Sequence, residues 1–182
     1  MEEFRAGFVG IVGRANAGKS TLVNSFARRK NSVVNERPRR NRRTVKCILN
    51  RPQAQIVLVD IPSFHVVKDA SGKDHNREAR KSLQEVDVVL FLVDATQVIG
   101  SEDGYIAREL QRLKTPALLA LNKADKITDS ELEAQIEVGK HLGNFIKIIP
   151  ISALREEGLE VLLRDIEDQL PRRAKLYTDS SL

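Results

Sequence analysis

Apolar and polar positions fall along this chain in blocks of two kinds. Short apolar runs at 8–12, 55–59, 88–93, 117–121 and 145–151 are rich in Val, Ile and Leu and do not alternate, with a weaker run at 45–49. Runs of this length and uniformity read as strands covered on both faces. Between them lie polar stretches with helical spacing, at 19–29, 76–86, 101–114, 129–142 and 159–170. In the third of these Ile106, Leu110 and Leu113 share one face, with Ser101 as the expected cap, and Pro171 stops the last. Strands alternating with helices predict an α/β fold, a three-layer α/β/α domain on a mainly parallel six-stranded sheet. In such sheets ligands sit beyond the carboxyl ends of the strands, so the chemistry is expected in the loops that follow the apolar runs.

Composition narrows the class. The chain has 182 residues, 41% hydrophobic and 30% charged, which suits one globular domain with a single core. No apolar run nears the roughly 20 residues that cross a bilayer. The start, Met1-Glu2-Glu3, lacks the layout of a secretory signal, and a lone Cys47 suits a reducing cytoplasm. His65, His75 and His141 are scattered, with no spacing that suits zinc.

Charge is concentrated in one place. Residues 28–46 hold nine Lys/Arg against Glu36 alone, a local +8 within a chain of +5, which leaves −3 for the rest. Basicity therefore belongs to one segment. The core of it, 37–46, with Arg37, Arg39, Arg40, Arg42 and Arg43, is either a solvated loop or a patch that meets phosphate.

The strongest chemical signal follows the first strand. Gly13-Arg14-Ala15-Asn16-Ala17-Gly18-Lys19-Ser20 fits G-x-x-x-x-G-K-[ST] in full, between an expected strand and an expected helix. Glycine lets the backbone turn its N–H groups inward, so Asn16, Ala17, Gly18, Lys19, Ser20 and Thr21 form a phosphate cradle. Lys19 supplies a point charge to the outer phosphates and the Ser20 hydroxyl can ligate Mg²⁺. The pattern implies a P-loop domain that binds a nucleoside triphosphate.

A second motif names the base. Asn122-Lys123-Ala124-Asp125 follows the strand 117–121. The Asp125 carboxylate can accept from N1–H and the 2-amino group of guanine, a donor pair that adenine lacks. Such charge-assisted bonds contribute about 1.5–3 kcal/mol each. Ser152-Ala153, after the next strand, can offer a backbone N–H to the guanine carbonyl. Asp87 and Asp94, which bracket a strand, read as turn or cap residues; Glu156-Glu157 reads as solvated loop, and Glu131, Glu133 and Glu137 as the wet face of a helix.

These motifs, with Val59-Asp60-x-Pro62, Asp87 to Asp94 and Pro150-Ile151-Ser152-Ala153, make the chain resemble the GTPase domain of the Era family over nearly its whole length. The resemblance implies a Ras-like domain over residues 1–171 that hydrolyses GTP to GDP. Residues 172–182 would begin a connection to a KH domain not present here. It implies Asp60 as a water-mediated Mg²⁺ residue, Asn16 as a K⁺ ligand, and Lys19, Asn16 and Asp60 as the catalytic set. It further implies a cytoplasmic monomer, and for a full-length parent a role in small ribosomal subunit assembly with ribosomal RNA as partner.

The chain departs from the family on the side that senses the third phosphate. Asp60-Ile61-Pro62-Ser63 stands where the family has Asp-Thr-Pro-Gly, and Arg39-Arg40-Asn41-Arg42 where it has Gln-Thr-Thr-Arg. Asn41 thus replaces the Thr that completes the Mg²⁺ shell, with Thr44 as the nearest substitute. Phe64 takes the place of the Ras-type Gln, and 66–76 is polar. Two functional expectations stand side by side. One is a Mg²⁺-dependent, K⁺-stimulated GTPase; the other is a nucleotide-binding module with impaired hydrolysis. A third is a basic RNA-contacting domain with a structural nucleotide, which steep salt dependence would reveal.

Overall fold

The computed structural model describes residues 3–34, 44–66 and 70–178, the side chains of 70–75 excepted. The elements run β1 (Arg5–Val12), α1 (Lys19–Ala27), β2 (Ser32–Val34), β3 (Val45–Asn50), β4 (Ala54–Asp60) and α2 (Ala70–Gln84). Then follow β5 (Val88–Asp94), α3 (Ser101–Gln111), β6 (Ala117–Asn122), α4 (Asp129–Leu142), β7 (Ile148–Pro150) and α5 (Leu159–Gln169). One sheet orders them β2-β3-β4-β1-β5-β6-β7. The pairings among β4, β1, β5, β6 and β7 are parallel, and β2–β3–β4 are antiparallel.

The sheet has seven strands rather than the six expected. The addition is β2, a three-residue edge strand too short to stand out as an apolar run. Strand β7 covers only 148–150 of the expected 145–151; it lies at the other edge, where Pro150 can lack a donor. Helix α2 begins at Ala70, well before residue 76, because its first turns are polar and carry no apolar spacing. Helix α3 is capped from Gly100, whose N–H donates to Asp103 Oδ2 at 3.0 Å, not by Ser101.

The central strands β1 and β5 bury both faces in a two-residue period. Val9, Ile11, Val88, Leu90 and Leu92 face a core with Leu22, Phe26, Leu159, Leu162 and Leu163 from α1 and α5. Val12, Val89, Phe91 and Val93 face the other, with Leu83, Ile106 and Leu110 from α2 and α3. That is the expected three-layer arrangement. Strand β1 has its sequence successors on opposite sides, β4 on one and β5 on the other, so a crevice opens beyond its carboxyl end.

The far end of the sheet holds the chain's last described residues. Gln55 on β4 is fully buried, accepts from the N–H groups of Leu176 and Tyr177 at 2.8 and 3.0 Å, and donates to the Tyr177 carbonyl at 2.8 Å. Arg173 pairs with Asp87 and donates to the Ala6 carbonyl. Residues 172–178 therefore lie along the edge opposite the crevice. No helix among the described residues is long and apolar enough to cross a membrane.

Candidate functional site

The phosphate loop turns out of β1 and into α1 through two left-handed residues, Asn16 at φ 64° and Gly18 at φ 103°. Gly18 is held to glycine twice over. Its φ disfavours any side chain, and a Cβ there would lie 2.2 Å from Asn122 Nδ2. Gly13 is equally constrained, since a Cβ would meet the Leu92 carbonyl at 2.3 Å. Lys19, the first residue of α1, folds back over the loop and donates to the carbonyls of Gly13 and Arg14, both at 2.7 Å. Burial lowers its pKa, and the charge of Asp60 opposes that shift. Ser20 is exposed in the first turn of α1. Ala17 is buried at 2% exposure, and Thr21 lies one residue further into the helix. A helix N-terminus beneath an ammonium group suits an anion.

Asn122 joins this loop to the next. It is 2% exposed, donates from Nδ2 to the Ala17 carbonyl at 2.8 Å, and accepts the Ala153 N–H on Oδ1 at 3.0 Å. The Ala153 amide therefore donates to Asn122, and the Ser152 amide donates to the Glu157 carbonyl at 3.0 Å. Ser25 of α1 donates to the Ala153 carbonyl at 2.6 Å, a second tie to the same turn. Lys123, left-handed at φ 64°, donates to the Asn16 carbonyl at 2.8 Å and to Asp94 Oδ2 at 2.6 Å.

Asp94 is thus more than the turn residue expected of it. Its other oxygen accepts from the N–H and hydroxyl of Thr96. Burial alone would push its carboxyl up, but Lys123 and Thr96 hold it below the usual carboxylate range. Its place at the carboxyl end of β5 was the signal available in the sequence. Asp125 lies beyond Lys123 in a short 3₁₀ turn, Ala124–Lys126, with its side chain 6% exposed and Arg155 Nε 3.4 Å from Oδ2. Arg155 has no sequence signal of its own, because only the turn after β7 brings it there.

The β4 end is more open. Asp60 closes β4 with its side chain 60% exposed, and Lys46 Nζ lies 3.6 Å from Oδ2. The Asp60 N–H donates to the Thr44 carbonyl at 2.9 Å, which puts Thr44 beside the expected metal residue. Beyond it Ile61 and Phe64 are both 7% exposed and packed in the core, so Phe64 does not face the loop. Ser63 is exposed and is not among the described non-glycine residues at positive φ. The segment is pinned by Asn76, fully buried on α2, which accepts the His65 N–H and donates to the His65 carbonyl and the Tyr105 hydroxyl. Arg14 turns away from the loop to Glu102 and to the buried Asp103 at the start of α3. Asn41 and 37–43 of the basic segment lie outside the described residues.

The donor set fits the groups that the motifs imply. A helix N-terminus with a lysine suits phosphates, and a hydroxyl at Ser20 with a carboxylate at Asp60 are hard oxygen donors of the kind Mg²⁺ takes. A phosphate loop braced by one buried asparagine against a second, Asp-bearing loop defines a P-loop domain. Comparison with known proteins agrees: a family model described as 50S ribosome-binding GTPase matches residues 8–123. The chain belongs to that family.

Its relatives include the GTPase Era of Ruminiclostridium cellulolyticum, 35% identical over 179 residues, which cover 98% of this chain and 60% of that protein. Among solved structures, Era in complex with MgGDPNP and nucleotides 1506–1542 of 16S ribosomal RNA matches with a TM-score of 0.78 and 33% identity, over 97% of this chain and 60% of that one. A variant of Aquifex aeolicus Era bound to GDP and tetrafluoroaluminate matches with a TM-score of 0.77 and 32% identity, over 96% and 60%. The chain thus spans about 60% of the length of these relatives, and the resemblance to Era-family GTPases read from the motifs is borne out.

Proposed function

We propose that this chain is the guanine-nucleotide domain of an Era-type GTPase and hydrolyses GTP to GDP and phosphate. The observation that carries the reading is the Asn122 brace. One buried side chain fastens the Ala17 carbonyl of the phosphate loop to the Ala153 amide of the base loop, so both ends of a nucleotide would meet a single preformed frame. The backbone of 16–21 and Lys19 would hold the phosphates, and Asp125 would accept the guanine N1–H and 2-amino group, with Lys123, Ser152 and Ala153 shaping the base pocket. Ser20 and Asp60 would hold Mg²⁺, which supplies charge neutralisation at the phosphates when bound. Asn16, exposed at the loop's left-handed corner, would hold K⁺.

Phe64, where Ras-type proteins carry Gln, is in the core and so cannot orient water. That favours slow intrinsic turnover. In a longer parent of the Era type, residues 1–171 would serve as the switch. Residues 172–182 would lead away from the edge opposite the nucleotide, with ribosomal RNA of the small subunit as partner and the basic segment 37–46 as a phosphate contact. A cytoplasmic monomer fits a free, buried Cys47.

The test is phosphate release from GTP with Mg²⁺, in KCl against NaCl at equal ionic strength. Slow release that rises in KCl supports both the GTPase and the role of Asn16. Tight GTP binding with no release in either salt would leave a nucleotide-binding module and overturn the hydrolytic reading.

A further inference from the structure

The antiparallel ladder between β3 and β4 contains one irregularity, and it falls beside the expected metal residue. Val45 pairs with Val59 and Cys47 with Leu58, so Lys46 is an extra residue with no partner across the ladder. The bulge has a visible consequence. Val45 packs in the core under α2 and α3, whereas Cys47, two residues on, packs in the core under α1 and α5. In an unbroken strand both would face the same side. Their side chains are 4% and 0% exposed, while Lys46 is turned outward with its side chain 45% exposed. Bulges commonly re-aim a side chain in this way. Here the ammonium group comes to 3.6 Å from Asp60 Oδ2, and the Asp60 N–H bond to the Thr44 carbonyl holds the two strand ends in that relation.

We propose that Lys46 is a tethered cation that competes with Mg²⁺ for Asp60 and so sets how strongly nucleotide retention depends on the metal. The inference rests on the guanine-nucleotide reading above. An exposed ion pair of this kind is weak and readily opened, so Lys46 does not block the carboxylate but shares it. Without the metal, the ammonium neutralises a charge that would otherwise repel bound phosphates. With the metal, the flexible four-carbon stem would swing clear, because an ammonium and a divalent cation held near one carboxylate repel each other. Retention is therefore better than expected in chelator and less improved by Mg²⁺.

The measurement is release of a fluorescent GDP at stepped free Mg²⁺, from chelator to millimolar, for the native chain and for Lys46→Gln, Lys46→Met and Lys46→Arg. Loss of the charge should speed release in chelator severalfold. It should also lower the Mg²⁺ concentration at half-effect by roughly tenfold, the scale of a unit charge beside a divalent ion in a mostly aqueous dielectric. Lys46→Arg should behave as the native chain. Half-effect concentrations within twofold of native in both neutral variants would overturn the inference alone. Failure of the native chain to take up the GDP at any Mg²⁺ would overturn the nucleotide reading and this inference with it.

Discussion

Asn122 and Gly18 show how closely the site is specified at the level of single residues. The glycine must be left-handed, and the only room for its missing side chain is taken by the asparagine amide that braces the loop. Asp94 and Lys123 form a second pair with a function at a distance. Their ion pair holds Lys123 against the Asn16 carbonyl, and so links the base loop to the corner of the phosphate loop. The Asp94 carboxyl is held below its ordinary value, so the stability it contributes is full above the unfolded carboxylate range and is lost as pH falls through the lower folded value. In nucleotide affinity measured from pH 7 to pH 3, Asp94→Asn should weaken binding at neutral pH and flatten part of the acid-side loss. An acid-side loss identical to that of the native chain would show that Asp94 does not hold Lys123 for binding. Residues fixed by a motif, such as Lys19 and Asp125, were legible without the structure. The pairing of Asp94 with Lys123 and the roles of Arg155 and Lys46 were not, because each acts through a partner elsewhere in the sequence, and Lys46 acts through a bulge that leaves no mark on the apolar pattern.

The central elements follow from their sequences, since Val, Ile and Leu runs buried on both faces admit little but parallel strands between helices. Errors gathered at the edges of the sheet and at helix starts, where burial is partial. Strand β2 is short and half-exposed, and the first turns of α2 lack an apolar stripe, so tertiary contacts decide both. One contact stands out. Asn76 bonds the backbone of His65 in both directions and reaches Tyr105 of α3, which ties the segment after β4 to two helices. Asn76→Ala would leave these groups without their buried partner, at a cost of about 1–3 kcal/mol. Amide exchange should quicken across 61–66 while the phosphate loop stays protected. Unchanged exchange in 61–66 would show that the latch does not restrain that segment.

Across the whole molecule the two ends of the sheet serve different purposes. At the carboxyl end of the strands, the loops carrying Lys19, Asp60, Asp94, Lys123 and Asp125 converge. At the other end, Gln55 and Asp87 hold residues 173–177 against the domain, on the side away from Lys19 and Asp125. The sequence motifs indicated the first of these; nothing in them marked Gln55, a polar residue inside an apolar strand whose partners lie about 120 positions on. The proposed function requires the braced frame to select guanine. Calorimetric titration with GDP and with ADP tests it most directly, repeated with xanthosine diphosphate on Asp125→Asn. One GDP site per chain is expected, with ADP at least about a hundredfold weaker and the preference of the variant moved to xanthosine diphosphate, as follows when two charge-assisted bonds are lost and one is restored to the 2-oxo group. Equal affinity for GDP and ADP, or a variant that still prefers GDP, would contradict it.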